Sequence, residues 1–171
     1  MREKTKKLAR SAILLAIMMI LLYISTIIPG YKLAFYLLIS LIPGIVVIEY
    51  GIKQCIIFIV ASFILSLVMP GDKMTLLLFY SFFGIYAVIK YLIEKIKSKV
   101  IILIVKLVYF IGIFFLNMYF ATKIAGILPE IMLKYNMWLV FAAAIIVFVI
   151  YDIMYTSFSQ FYLNKIKKHV D

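Results

Sequence analysis

From Ser11 to Ile28 the chain carries no charge, and the residues directly before it, MREKTKKLAR, hold Arg2, Lys4, Lys6, Lys7 and Arg10. A helix rises about 1.5 Å per residue, so roughly 17–25 apolar residues span a bilayer core about 30 Å thick. The stretch predicts a first transmembrane helix over 11–28. Basic residues beside a helix end stay on the cytoplasmic side during insertion, which places the N-terminus inside. A signal peptide also starts with a basic region and an apolar run. This run is longer, lacks a small-x-small cleavage site and is followed by more apolar segments, so it reads as an anchor. Ala9, Ala12 and Ala16 recur at i, i+3 and i+7, a stripe of small side chains that would let another helix approach closely.

The rest of the chain repeats the theme. Of 171 residues, 67% are hydrophobic and only 15% charged, a composition that excludes a soluble globular domain and points to an all-α integral membrane bundle. Turn chemistry at Pro29-Gly30-Tyr31-Lys32 and Pro70-Gly71-Asp72-Lys73 separates the apolar runs. Six transmembrane helices are predicted, at approximately 11–28, 33–50, 55–69, 74–93, 100–121 and 137–160, in one domain over 1–171. Pro43-Gly44 in the second removes a backbone hydrogen bond and predicts a kink. A polar turn at 49–54 separates the second helix from a short third. Thr122 to Asn136 is the longest connection, and an amphiphilic segment ends the chain.

Charge placement orients the bundle. Arg2, Lys4, Lys6, Lys7, Arg10, Lys53, Lys90, Lys95, Lys97, Lys99, Lys165, Lys167 and Lys168 fall in the predicted inner segments; the outer loops hold only Lys32, Lys73, Lys123 and Lys134. This asymmetry predicts both termini inside, in a multi-pass protein of a cell membrane, of the prokaryotic plasma-membrane type. The net charge of +11 sits where anionic lipid headgroups are the natural partner, which argues against nucleic acid. Cys55 and His169 are the only residues of their kinds, so the sequence offers no disulfide framework, no metal centre and no cofactor motif. Nor does it carry HExxH, GxSxG or a phosphate loop, so neither an enzyme nor an ATP-binding protein is expected.

Charges at membrane depth are costly and therefore candidates for function. Glu49, Lys90, Lys106 and Asp152 all map to the inner third of the core. Lys90 and Glu49 are placed to snorkel to the headgroups. Lys106 and Asp152 lie on consecutive antiparallel helices and are expected to pair, either to set helix register or as part of an ion or proton relay. At the outer side Tyr31, Lys32, Asp72, Lys73, Asn117, Tyr119, Thr122, Lys123, Glu130, Asn136 and Trp138 gather donors, acceptors and ring faces, which suits a small amphiphilic ligand. An ordinary aromatic belt at headgroup level gives the same pattern.

The basic N-tail, the Ala12-Ile-Leu-Leu-Ala16 of the first helix, and six short-looped helices in about 170 residues resemble the substrate-binding S-components of energy-coupling factor vitamin transporters. The resemblance implies that Ala12 and Ala16 dock onto a transmembrane coupling subunit associated with ATPase subunits. It also implies that the outer polar residues line the site of a vitamin or precursor taken up from outside. The same topology resembles the rod-shape membrane proteins of cell-wall elongation, which would make the chain a non-catalytic scaffold.

Overall fold

The structure, a computed structural model, describes residues 2–70, 73–120, 122 and 136–166. Among them every regular element is helical: α1 (Arg2–Ile27), α2 (Lys32–Ile39), α3 (Leu41–Val68), α4 (Lys73–Phe79), α5 (Ile85–Ile93), α6 (Lys99–Tyr119) and α7 (Met137–Phe161), with a 3-10 turn at Pro29–Tyr31 and π-helical turns at Tyr80–Gly84 and Tyr162–Ile166. Among the described residues five helical stretches are long and apolar enough to cross a membrane: Thr5–Ile27, Lys32–Val68, Leu76–Ile93, Lys99–Tyr119 and Trp138–Lys165. The chain forms two compact units, Met1–Leu92 and Ile93–Asp171.

In the first unit α1 packs on α2 and α3. Its helix begins at Arg2, so the basic tail expected ahead of residue 11 is itself helical. Ser11, Met18, Leu22 and Ser25 are buried, and their spacing of 7, 4 and 3 residues keeps them on one face at 3.6 residues per turn. Ala9, Ala12 and Ala16 lie on the opposite face and are exposed. Inside a bilayer, lipid is as apolar as leucine, so this face selection is enforced by close packing rather than by escape from water.

The predicted second helix is interrupted, and Pro43 explains where. A proline ring collides with the carbonyl four residues earlier, here that of Ile39, and the helix breaks at Ser40 before resuming at Leu41. The Ser40 hydroxyl donates to the Leu37 carbonyl at 2.6 Å, one of the local bonds by which a broken helix satisfies its backbone in lipid.

The polar turn expected over 49–54 shrinks to one residue. Gly51 has φ 83° and ψ 178°, a left-handed conformation open to glycine, and the chain is helical on both sides of it. The Cys55 thiol donates to the Pro43 carbonyl at 3.4 Å. In a continuous helix those residues would stand about 18 Å apart at about 1.5 Å per residue, so α3 folds back at Gly51. Arg10 acts electrostatically on the Tyr50 hydroxyl, which puts the start of α1 and this reversal at the same end of the unit.

The predicted fourth helix, 74–93, contains the π-helical turn Tyr80–Gly84, closed by the Ile85 N–H donating to the Tyr80 carbonyl. Tyr36, Phe79, Tyr80 and Phe83 build an aromatic core around it, with Tyr36 and Phe79 centroids 4.9 Å apart and Phe79 edge-on to Tyr80 at 5.1 Å.

In the second unit α6 and α7 run antiparallel, as their shared contacts show: Lys106 meets Asp152, Phe110 meets Phe148, and Phe114 meets Phe141. Their bounds match the predicted 100–121 and 137–160 closely. Asn136 starts α7 by accepting the Trp138 N–H on its side-chain oxygen at 3.2 Å, satisfying one donor that a helix N-terminus leaves open. Of the connection between them, only Thr122 and Asn136 lie among the described residues.

Candidate functional site

Two antiparallel helices meeting along one seam must fill it with side chains of matched reach. Lys106 is the long, basic member, seven residues from the start of α6. Its ammonium donates to both Asp152 carboxylate oxygens, at 3.0 and 2.8 Å, with the two side chains only 10% and 20% exposed. The expected pair is formed, and in a bidentate geometry. The Thr156 hydroxyl donates to the Asp152 backbone carbonyl at 2.7 Å, a local bond one turn further along α7.

One turn further along α6 the seam becomes aromatic. Phe110 stacks on Phe148 at 4.7 Å, Phe114 meets Phe141 edge-on at 5.2 Å, and Phe115 lies 6.0 Å from Phe141. Toward the C-terminal end of α6 the ladder opens into a cleft of about 290 Å³ lined by Phe114, Phe115, Trp138 and Phe141. Its walls are ring faces and edges, which favour flat apolar groups in stacked or edge-on geometry. Trp138 is 79% exposed and leaves the cleft open on one side.

Several of the polar residues expected around a ligand bond locally. Asn117 donates from Nδ2 to the Ile113 carbonyl at 2.9 Å, and Thr122 donates to the Met118 carbonyl at 2.8 Å. Asn136 is engaged as the cap of α7, and the Lys73 ammonium donates to the Met69 carbonyl. Three of the four thus donate to a nearby backbone carbonyl and Asn136 accepts from a backbone N–H, common ways for a polar side chain to be satisfied beside lipid. Of the expected ligand residues among those described, Trp138 lines the cleft. Tyr31 and Tyr119 are exposed, Lys32 is half-buried, and Asp72, Lys123 and Glu130 lie outside the described residues.

The remaining intramembrane charges divide. Lys90 does not snorkel: it is 2% exposed, with its ammonium 5.8 Å from the ring centre of Tyr86, the residue one turn before it on α5. A cation and an aromatic face attract at this range, and helical i, i+4 spacing puts the two side chains on one face. Glu49 is half-buried beside Tyr50. Among the described residues no group of three or more His, Cys, Asp or Glu is arranged to hold a metal ion. The phenylalanines of the cleft escaped the sequence reading because they look like lipid-facing residues; the spacing of Phe110 and Phe114 by four, on one helix face, is the signal that marks them. No family model, curated protein or solved structure matches this chain.

Proposed function

We propose that this chain is the membrane-embedded binding subunit of an uptake system. In this reading it crosses the membrane six times with both termini inside, α3 supplying two passes through its reversal at Gly51. It takes a small amphiphilic nutrient, a vitamin or precursor, from the outer side and hands it to a transmembrane coupling subunit driven by ATPase partners. The observation that carries the reading is the aromatic cleft at the outer ends of α6 and α7. Its volume of about 290 Å³ is at the lower end of the roughly 300–1,000 Å³ of small-molecule sites, enough for one ring system. The exposed alanine face of α1 supports a helical partner on the other unit.

Trp138 is the single tryptophan of the chain and lines the cleft, so its fluorescence reports occupancy without a label. Protein purified from its native membrane is expected to co-elute with an ATPase pair and a small molecule identifiable by mass spectrometry. Removing that molecule should shift the Trp138 emission, and adding it back should restore it. Recovery of cell-wall elongation proteins, with neither ATPase nor small molecule, refutes the uptake reading and establishes the scaffold role.

A further inference from the structure

The wall of the cleft between α6 and α7 is built of rings, and the surface that Phe114, Phe115, Trp138 and Phe141 turn to its interior is carbon alone. Phe114 stands at 66° to Phe141 and at 86° to Phe115, while Phe115 and Phe141 are tilted by 34°. Rings so disposed offer a guest both faces and edges. A flat conjugated ring can stack on one and meet another edge-on, whereas a saturated ring or an acyl chain gains burial only. A charged group inside would lose its hydration with no polar atom of the wall to replace it. The polar side chains closest in sequence are turned to backbone: Asn117 donates to the Ile113 carbonyl, and Asn136 accepts the Trp138 N–H.

The position of the cleft along the helices bears on how a guest arrives. Phe114 lies five residues before the end of α6 at Tyr119, and Phe141 four residues after the start of α7 at Met137. At about 1.5 Å per residue the cleft is about 6–8 Å inside the helix ends. The 21 residues of α6 measure about 32 Å, close to the roughly 30 Å of a hydrocarbon core, so a spanning hairpin carries the cleft below the headgroups. Among the neighbouring side chains Leu116 and Leu139 are exposed, as is Phe115 of the wall itself. Apolar exposure around an apolar cleft at that depth faces lipid, not water.

We infer that the cleft receives the uncharged planar ring of a lipid-soluble compound, which enters sideways from the bilayer rather than from water. The inference rests on the uptake reading and narrows its ligand to an amphiphile whose apolar half is a conjugated ring system and whose polar groups stay at the headgroup layer.

The test uses the full chain in lipid nanodiscs and the emission of Trp138, the single tryptophan. Menadione, a flat uncharged naphthoquinone that quenches tryptophan, should quench it saturably, and Phe141→Ala should leave only the weak linear quenching of a solute free in the membrane. A second readout needs no variant: para-xylene should relieve the saturable quenching at several-fold lower concentration than dimethylcyclohexane, its ring-saturated counterpart. Phosphatidylcholine brominated on its acyl chains should quench ligand-free Trp138 more strongly than aqueous iodide does. Linear quenching alone, or equal competition by the two hydrocarbons, overturns the ring assignment and leaves the cleft to lipid chains. Stronger quenching by iodide than by brominated lipid overturns entry from the bilayer. Relief by tetraethylammonium at lower concentration than by para-xylene overturns the uncharged ring in favour of a cation held by ring faces. The uptake reading stands or falls separately, on co-purification: saturable binding of the ring by a chain that recovers no ATPase pair refutes uptake and leaves the chemistry of the cleft in place.

Discussion

Breaking the Lys106–Asp152 pair should destabilise the protein far more than deleting it whole. The two contacts of 2.8 and 3.0 Å are bidentate, and the side chains retain only 10% and 20% exposure. At an effective dielectric of about 20, unit charges some 4 Å apart attract by about 4 kcal/mol, from which the desolvation of both groups subtracts. Lys106→Met leaves a buried carboxylate and Asp152→Asn leaves a buried ammonium; such orphaned charges cost about 3–5 kcal/mol. At about 2–4 °C per kcal/mol for a chain of this size, each single change should lower Tm by roughly 6–20 °C. The double variant should return to within about 1–2 kcal/mol of the parent, because no unpaired buried charge remains in it. Thermal unfolding in detergent of all four members of the cycle yields the coupling. Neutral hydrogen bonds between membrane helices couple by about 0.6 kcal/mol on average and at most about 1.7, so a value above about 2 identifies an ion pair. Additive single effects would refute the reasoning.

Gly51→Ala places a Cβ on a residue at φ 83° and ψ 178°, a region essentially restricted to glycine, with open space around it, so its cost is backbone strain alone, about 1–3 kcal/mol, read as a lower Tm without loss of membrane insertion. In a Cys55→Ala background, Ser98→Cys should react with impermeant thiol reagents only from inside, and Asp72→Cys and Glu130→Cys from outside; outside labelling at position 98 overturns the topology. Ala12→Trp with Ala16→Trp lies on the exposed face of α1, so Tm should hold within a degree or two while partner co-purification is lost; retention of the partner would show that the stripe is merely compatible with lipid. Phe141→Ala removes the ring that meets both Phe114 and Phe115, and should abolish any ligand-dependent change in Trp138 emission while leaving the Lys106–Asp152 coupling intact.

Much of the architecture follows from the order of residues. Long uncharged runs must be helices in a membrane, because no other open structure satisfies its own backbone there. Pro43 broke the second helix one turn upstream of itself, and two opposite charges on consecutive antiparallel helices found each other at positions 106 and 152. Local pattern does not reveal which apolar face is buried. Leu22 is enclosed and Ile20 exposed, although both are aliphatic residues of one helix, because lipid and protein interior are equally apolar and hydrophobic periodicity carries no contrast between them. For the same reason the polar residues of the outer side were legible as a set, but their partners were not. Asn117, Thr122 and Asn136 bond to nearby backbone, and the cleft is formed by phenylalanines that resemble lipid-facing ones. Lys90, Tyr80 and the one-residue reversal at Gly51 were likewise decided by what packs around them, since a side chain's hydrogen bonds and enclosure depend on neighbours that only the folded chain brings within reach.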